Sequence, residues 1–497
     1  MNKFLVGWAE ESIVPGKPVN IVGQFYERIS DKVETEITVT AMAVESGEEQ
    51  MIAVSCALTG VSNELIKLAR AKFVEIGGGI SPEKIFIGAI HNHTAFGYGV
   101  SNATTVTSKD ILNEFLPADK QYTSIEAKRD DVFEGEEALI FLADKIAKAA
   151  KDAWDNRKEA MYANAFGRAV VGHCRRVVYD DGSAAMWGDT NRANFREIEG
   201  GNDSGVELIY FFDMNKKLTG ILANIACPAQ VLEHHYFISE DYWGYVKETL
   251  REKFGKDIFL LPFIGAAGDQ CPRDMVRWVD AEQPLKDPNI IRENTVIRKA
   301  DPSMFDIKGC KLIAKRVSNE IIDVFEALED SEIKENPVFI HKALTFDLPL
   351  RKATITEYNN AVRELEYYVN KNRDKETFNY EDNAAMHIYA GTILRYRVQQ
   401  EKEIFPIETH IIRLGDVAMA TNPFELFLDY GNRMKARSKA SQTFIFQLTG
   451  GQGGYLPTEK AERGSHYSAY ISSGNVGHEG GDLLVRRTVK EINEMFD

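Results

Sequence analysis

Short apolar runs alternate with amphipathic stretches along most of the chain. Runs rich in Val, Ile, Leu and Phe and bounded by Gly, Asp or Asn predict β-strands in EITVTAMAVES, EQMIAVSCAL, EKIFIGAI, GVELIYFFDM, LTGILANIAC, DIFLLPFIG, PVFIHKALTFDLPL, ETHIIRLGDVAMAT and TFIFQLTGG. MNKKLTG predicts a hairpin turn between two of them. Helical spacing of apolar residues predicts helices in SNELIKLARAKFVEI, EGEEALIFLADKIAKAAKDAWDNR and TEYNNAVRELEYYVNKN. The pattern favours an α/β fold with one large mixed sheet and some antiparallel pairing.

Residues 280–306 show neither the strand nor the helix pattern and contain three prolines, which predicts a long surface loop. The position of this loop does not divide the chain into two units. We therefore expect a single domain over residues 1–497.

Composition and charge narrow the classes of partner. The chain has 59 Lys and Arg against 75 Asp and Glu, a net charge of −16, which argues against nucleic acid and anionic membranes as partners and leaves a small-molecule substrate. No apolar run is long enough for a membrane span and the N-terminus lacks a signal-peptide pattern, so a cytoplasmic location is expected. The five cysteines are scattered without a CxxC pair, which indicates reduced thiols. The oligomeric state stays open.

Several predicted strands run directly into chemically rich segments: HNHT, PAQVLEHHYF, AAGDQCPRD, NPFELF and QGGYLPT. In open α/β sheets ligands bind at the carboxyl ends of strands, where such loops converge. We therefore expect one shared site.

His91 and His93 stand one residue apart behind a predicted strand. If the extended backbone persists through Asn92, both imidazoles point into one cleft. One could then bind a metal while the other moves a proton or donates a hydrogen bond. The alternative is a pair of loop histidines bonded to the backbone.

The remaining segments each allow two interpretations. In GAAGDQCPRD, Asp269 and Cys271 belong either to a nucleophile loop or to a tight turn with a passive thiol. Glu425 is either a site carboxylate or the third residue of a helix capped by Asn422. Tyr455 is either a site phenol or the anchor of a glycine-rich loop.

His234 and His235 precede a predicted helix that begins near Ser239 or Asp241, either of which is a plausible N-cap. Arg175 and its neighbour Arg176 face opposite sides in an extended run, so at most one reaches a shared cleft and the other is expected in solvent.

Taken in order, these motifs resemble the catalytic domain of the neutral (alkaline, non-lysosomal) ceramidases, which are zinc-dependent amidases. VGWAEESIVPG is similar to the family's opening G-x-x-D-I-T-P, and GAIHNHT to G-T-H-T-H-S. The resemblance implies that His91 binds zinc and that His93 lies beside the substrate. TNPFELF and GGYLPT resemble P-G-E-x-T and G-Y-V-T-T, which implies that Glu425 and Tyr455 are metal ligands.

The resemblance also implies substrate-side roles. HCRRVV is similar to the family's N-R-R/S segment and assigns substrate contact to Arg175. SHYSA is similar to Q-H-Y-E-G-A-S-T and gives Tyr467 a catalytic role. GAAGDQCPR resembles N-x-G-D-V-S-P-N, so that Asp269 and Cys271 occupy catalytic positions, with cysteine replacing the serine.

Two further departures stand out. The family's second zinc histidine lies in A-C-H-A-T-V-L, where this chain has ACPAQVL with Pro228. His234 or His235, or the amide of Gln230, completes the metal shell, or the metal is weak or absent; Gln230 is otherwise expected to bind substrate. The C-terminal immunoglobulin-like domain of those ceramidases has no counterpart in the sequence.

The leading hypothesis is a metal-dependent hydrolase, using a divalent ion such as zinc to cleave an amide or related bond in a soluble, polar substrate. His91, Glu425 and Tyr455 would hold the ion, with His234 or His235 as the doubtful fourth ligand. Two alternatives keep the fold: a carbohydrate-processing lyase or isomerase, and a non-catalytic ligand-binding protein.

Overall fold

The computed structural model describes residues 3–99, 107–122, 131–280, 298–300 and 306–497. The strands are β1 (Phe4–Ser12), β2 (Lys32–Val33), β3 (Thr38–Ser46), β4 (Glu49–Cys56), β5 (Ile85–Ala89), β6 (Lys158–Arg168), β7 (His173–Cys174), β8 (Arg176–Tyr179), β9 (Ala184–Met186), β10 (Phe195–Ile198), β11 (Gly205–Asp213), β12 (Leu218–Ile225), β13 (Phe237–Ile238), β14 (Phe259–Ile264), β15 (Gln270–Cys271), β16 (Trp278–Asp280), β17 (Arg298–Ala300), β18 (Phe339–Pro349), β19 (Ile404–Leu414), β20 (Val417–Thr421), β21 (Phe424–Leu426), β22 (Gln442–Phe446) and β23 (Gly454–Leu456). The α-helices are α1 (Asn63–Glu75), α2 (Ser108–Phe115), α3 (Gly135–Asp155), α4 (Tyr242–Phe254), α5 (Ile307–Glu326), α6 (Ile355–Lys371), α7 (Tyr380–Val398), α8 (Leu428–Arg437), α9 (Glu459–Gly464) and α10 (His478–Glu494).

The main sheet has eight strands in the order β14-β12-β11-β6-β1-β3-β4-β5. Its interior pairs are antiparallel, whereas the outermost pairs, β12 with β14 and β4 with β5, are parallel. Helices α1, α3, α4 and α5 cover one face, where alternate residues of β3 such as Val39 and Ala41 are fully buried. The predicted mixed sheet is confirmed.

A second sheet, β18-β19-β20-β22, packs on the other face of the main sheet. The aromatic rings of Phe263 and Phe446 stack across this interface with centroids 4.3 Å apart. Each fully buried phenylalanine contributes about 1.5–3 kcal/mol through the hydrophobic effect. Helices α8 and α10 cover the outer face of the second sheet, which completes a helix–sheet–sheet–helix arrangement. A smaller apolar cluster joins α2, α6 and α7.

The predicted strands and helices are present, with one refinement. ETHIIRLGDVAMAT is two strands, β19 and β20, joined by a turn in which Gly415 has φ +60°. Helix α4, predicted to begin near Ser239 or Asp241, is present with Asp241 as its N-cap. The two central strands β1 and β6 and helices α5, α7 and α10 were not among the predicted elements. Most of the predicted loop 280–306 lies outside the described residues. Of the residues that are described, Asp280 ends β16 and Arg298–Ala300 form β17, which pairs with β16 in antiparallel fashion. Among the described helices, none is long and apolar enough to cross a membrane.

Candidate active site

The carboxyl ends of strands from both sheets meet at one place. Strands β5, β12 and β14 of the main sheet and the parallel pair β20 and β22 of the second sheet all end there. The two sheets are joined at this edge, because the amide of Ala89 donates to the carbonyl of Leu448 and that of Gly450 to the carbonyl of Ile87. The loops predicted to share a site are therefore held together by backbone hydrogen bonds.

His91 and His93 lie side by side, with ring centroids 4.7 Å apart at an angle of 73°. They do not meet through strand geometry, because β5 ends at Ala89 and His91 has φ +56°. The expectation that the extended backbone persists through Asn92 is therefore wrong. The left-handed conformation at His91 is a strained one for a residue with a side chain, and such strain concentrates at functional sites.

The ring of His91 bridges a carbonyl and a carboxylate. Its Nδ1 atom lies 2.8 Å from the carbonyl oxygen of Thr59, and its Nε2 atom lies 3.4 Å from Oε2 of Glu425. A carbonyl oxygen can only accept, so Nδ1 carries the proton and a neutral ring presents the lone pair of Nε2 to the carboxylate. Two acceptors in contact require a cation or an additional proton between them.

Glu425 belongs to strand β21, which pairs in parallel with β23 so that Glu425 and Tyr455 are direct neighbours. The alternative interpretation of Glu425 as part of a capped helix is wrong. Asn422 instead accepts from the amide of Phe424, and helix α8 begins only at Leu428. The pairing register of β21 and β23, and not a helical turn, sets the direction of the Glu425 carboxylate.

Gly268 is required for the close approach of the 265–274 loop to this strand. A Cβ atom on residue 268 would overlap the carbonyl oxygen of Glu425, and the amide of Gly268 donates to the carbonyl of Leu426 at 2.8 Å. The glycine in GAAGDQCPRD therefore lets two backbones come into contact.

Arg175 occupies the buried end of the site. Its guanidinium donates to the phenol oxygen of Tyr455 and to the carbonyl of Gly268, each at 3.3 Å, and to Oε1 of Gln230 at 3.4 Å. Burial lowers its pKa, but Tyr455, Cys271 and Glu425 outweigh that effect and the pKa of Arg175 is raised. The group is therefore a permanent buried cation.

Arg176 faces the opposite side, as predicted, but it is fully buried instead of solvated. Its guanidinium pairs with Glu199 at 2.5 Å and donates to the carbonyls of Tyr467 and Ser465. The expectation of a solvent-exposed arginine is wrong, since Arg176 organises the segment that carries Tyr467.

Tyr455 and Tyr467 form an edge-to-face pair with ring centroids 5.5 Å apart. Burial, followed by the charge of Glu425, raises the pKa of both phenols. Both therefore remain protonated at neutral pH and can donate a hydrogen bond to a substrate oxygen.

Asp269 and Cys271 lie beside these residues, but neither has a side-chain atom with an evident chemical role. Oδ1 of Asp269 accepts from the amide of Leu428 at 2.9 Å, and its carbonyl accepts from the amide of Arg175. Burial raises the pKa of Asp269 to about 6 and that of Cys271 to about 12. The thiol is therefore protonated at neutral pH, which does not suit a nucleophile.

Glu233 is a site residue that was not among the predicted ones. Its Oε2 atom lies 3.3 Å from Nδ1 of His93 and accepts from Nε2 of Gln230 at 3.2 Å. Burial raises its pKa, but His93 and His234 outweigh burial and the pKa of Glu233 is lowered. Burial lowers the pKa of His93 to about 4. A signal was present in the sequence, since Glu233 is a lone charge in the otherwise uncharged stretch ACPAQVLE.

The neighbouring histidines take different positions. Nδ1 of His234 lies 3.4 Å from the phenol oxygen of Tyr26 and its Nε2 lies 3.9 Å from Oε1 of Glu233. His235 stacks on Phe237 at 4.7 Å. The site thus brings together His91, His93, Glu425, Tyr455, Tyr467, Arg175, Gln230 and Glu233.

A divalent metal fits the His91–Glu425 pair in its donor chemistry. Because zinc bonds to nitrogen and oxygen are about 2.0–2.2 Å long, two ligands of one tetrahedral ion are about 3.4 Å apart, as these two atoms are. Within the described ranges, no group of three or more His, Cys, Asp and Glu side chains could hold a metal ion, so His234 and His235 do not complete one. The phenol of Tyr455 is the remaining candidate for a third donor.

Two cavities open beside these residues. His91 and Glu425 line one of about 600 Å³, together with Thr59, Tyr98 and Gln452. A second cavity of about 760 Å³ lies between α7 and the segment around Tyr467, with Trp187 in its wall. The site therefore has room for a small-molecule substrate on both sides.

The fold has solved counterparts. The neutral ceramidase from Pseudomonas aeruginosa superposes with a TM-score of 0.64 at 12% sequence identity, covering 100% of this chain and 75% of that one. A ceramidase complexed with C2 superposes with a TM-score of 0.66 at 11% identity, covering 100% and 76%. No family model and no curated protein sequence matches the chain. The chain therefore has the fold of the neutral ceramidases, and the predicted fold class is confirmed.

Proposed function

We propose that this protein is a metal-dependent hydrolase that cleaves an amide or related bond in a soluble, polar small molecule. The observation that carries the proposal is the contact between two acceptor atoms, Nε2 of His91 and Oε2 of Glu425, at 3.4 Å. His91, Glu425 and Tyr455 would hold a divalent ion such as zinc. When bound, such an ion lowers the pKa of water and polarises a carbonyl group.

The chain's own residues supply the rest of the chemistry. Arg175 and Tyr467 present a buried guanidinium and a protonated phenol, which together can bind the carbonyl oxygen of a substrate and stabilise its negative charge as it develops. His93 is neutral and is placed to move a proton. The guanidinium of Arg175 is buried, which keeps bulk water away from it and strengthens its interactions.

The fold likeness supports hydrolysis, since both solved counterparts are ceramidases. A polar substrate is favoured over ceramide because the buried end of the site consists of a guanidinium, an amide and two carboxylates, which need polar partners. The five cysteine thiols are all unpaired, which supports a reducing compartment and so a cytoplasmic location.

Metal analysis of the purified protein tests the proposal. The wild type is expected to retain a stoichiometric divalent metal and to lose hydrolysis of N-acyl amino acids or N-acyl amines in chelator. His91→Ala and Glu425→Ala should lose the metal, whereas His235→Ala should keep it. His478→Ala is the matched control, because this half-buried histidine at the start of α10 pairs with Glu462 on α9. A wild type that takes up no zinc and hydrolyses equally well in chelator would contradict the proposal.

A second candidate is a carbohydrate-processing lyase or isomerase that uses His91, His93 and Tyr455 for acid–base chemistry. The observation that favours it is that no group of three or more His, Cys, Asp and Glu side chains able to hold a metal occurs in the described part of the chain. Turnover of sugar acids by metal-stripped protein, without hydrolysis of acylated amino sugars, would select this candidate.

A further inference from the structure

The cavity between α7 and the segment around Tyr467 has an aromatic wall. Phe25, Tyr380 and Tyr467 are exposed and line it, and the rings of Phe25 and Tyr467 meet edge to face with centroids 6.2 Å apart. Its volume of about 760 Å³ is typical of a small-molecule site. Because Tyr467 also packs on Tyr455, this cavity adjoins the proposed reaction centre.

Arg395, in the last turn of α7, lines the same cavity with a charge that has no counter-charge. Its guanidinium donates to the carbonyls of Asn475 and Gly474 at 3.0 and 2.7 Å and to the side-chain oxygen of Asn475 at 2.9 Å, and these acceptors are all neutral. Its Nε atom is buried and has no hydrogen-bond partner among the described residues. Burial, followed by the charge of Arg351, lowers the pKa of Arg395 to about 10, so the group stays charged at neutral pH.

The carboxylates of this region are engaged elsewhere. Glu381 lines the cavity too, but it belongs to the first turn of α7 and so lies about 20 Å from Arg395 along the helix axis. Glu462 pairs with His478 at 2.8 Å and contacts Arg351 at 3.7 Å. A partly buried charge is costly unless it is paired, so the Arg395 side of the cavity favours an anionic ligand.

His466 adds a neutral donor to the cavity wall. Its Nδ1 atom accepts from the backbone amide of Met186 at 3.1 Å, so the lone pair is on Nδ1 and the proton on Nε2. Burial, followed by the charge of Arg176, lowers the pKa of His466 to about 4, and the ring is neutral at pH 7. Arg395 and His466 therefore both offer N–H groups, which suits a ligand rich in acceptor oxygens.

We propose that this cavity binds an N-acyl amino acid, with Arg395 selecting the substrate by its carboxylate. The inference rests on the proposed hydrolysis, because a carboxylate held at Arg395 directs the adjacent amide toward Tyr467 and the reaction centre. One guanidinium offsets one negative charge, which favours a carboxylate over a phosphate dianion. The aromatic wall favours an apolar side chain on the amino acid.

Equilibrium binding in chelator tests the proposal without turnover. The probes are N-acetyl-L-phenylalanine and its primary amide, which lacks the negative charge. Isothermal titration calorimetry of the wild type should give a Kd about 10-fold lower for the acid than for the amide. Arg395→Gln should abolish this preference, and Arg395→Lys should keep part of it. Arg397→Gln is the matched control, because this arginine of the same helical turn pairs with Glu114 and should leave the preference unchanged.

Activity completes the test. With zinc-loaded protein and N-acetyl-L-phenylalanine as the acyl probe, Arg395→Gln should raise KM about 10-fold with kcat little changed. A wild type that does not bind the acid more tightly than the amide overturns the proposal even if Arg395→Gln does not fold. A preference for the acid that persists in folded Arg395→Gln also overturns it. If the zinc-loaded wild type hydrolyses no acyl substrate, the proposed function fails, while the binding preference still decides the role of Arg395.

Discussion

His341 and His410 are hydrogen-bonded to each other at 2.8 Å in the interior, far along the chain from the site histidines. His341 also contacts the carbonyl of Gln50 in the main sheet, and His410 contacts Glu408, which pairs with Arg70. Both imidazoles are buried, 3% and 0% exposed. The pair therefore links strands β18 and β19 of the second sheet to the edge of the main sheet.

This pair predicts a loss of stability in mild acid. Burial, followed by the charge of His410, lowers the pKa of His341 to about 3, below the value of about 6.5 in the unfolded chain. Between these values the unfolded state binds more protons, so the free energy of unfolding falls as pH is lowered from about 6.5 toward 3. Urea denaturation at a series of pH values should show this slope, which amounts to a loss on the order of 5 kcal/mol between the two pKa values. His341→Phe should flatten it; an unchanged slope would contradict the assignment.

Glu425→Gln should stabilise the metal-free protein while it impairs the site. A glutamine amide can donate to Nε2 of His91, which replaces a contact between two acceptors by a hydrogen bond worth about 1 kcal/mol. Thermal unfolding in chelator measures the effect. Glu408→Gln serves as the comparison and should be destabilised, because Arg70 loses a charged partner. Destabilisation of Glu425→Gln in chelator would instead show that a proton on His91 already occupies the contact.

Gly268→Ala should reduce stability and activity together. The added methyl group meets the carbonyl oxygen of Glu425, a backbone atom that cannot move aside, and we expect a cost of about 1–3 kcal/mol. Gly201→Ala is the control, because a Cβ atom there has open space around it. Chemical denaturation compares the two variants; equal stability would mean that the 265–274 loop shifts without cost.

Arg175→Lys and Arg176→Lys should separate function from stability. Arg175 donates to a phenol, an amide and a carbonyl in the site, so its lysine variant should fold but lose about 10²-fold in kcat/KM. Arg176 holds Glu199 and the Tyr467 segment, so its lysine variant should lose about 2 kcal/mol of stability. The opposite assignment of the two losses would contradict the placement of the guanidinium groups.

Cys271→Ser should keep most of the activity. The thiol is protonated at neutral pH and its sulfur accepts from the amide of Arg273 at 3.4 Å, a bond that a hydroxyl oxygen can also accept. Initial rates with the same acyl probe and resistance of the wild type to iodoacetamide check this. Full inactivation by alkylation of Cys271 in the folded protein would instead indicate that Cys271 is a nucleophile.

Hydrophobic periodicity was sufficient to locate most strands of the two large sheets and three of the longer helices, because their burial is set by local alternation. The central strand β6 was not predicted, because its residues alternate small and polar side chains such as Ala163 and Asn164. Motif order led to His91 and Glu425 as ligands of one ion, but not to the backbone geometry of their contact. That contact depends on a left-handed residue and on the pairing of β21 with β23, neither of which has a local sequence pattern. Glu233 was missed because its partner His93 is 140 residues away.

The joining of the two sheets at Ala89 and Leu448 also bears on when the site is assembled during folding. The histidines come from the first fifth of the chain, whereas Glu425 and Tyr455 come from the last fifth. Contacts of such high sequence separation form slowly, after long loops have closed. During synthesis the emerging chain can fold its main sheet while the site still lacks its carboxylate and phenol. Assembly of the site is therefore a late event, completed only when the C-terminal strands dock.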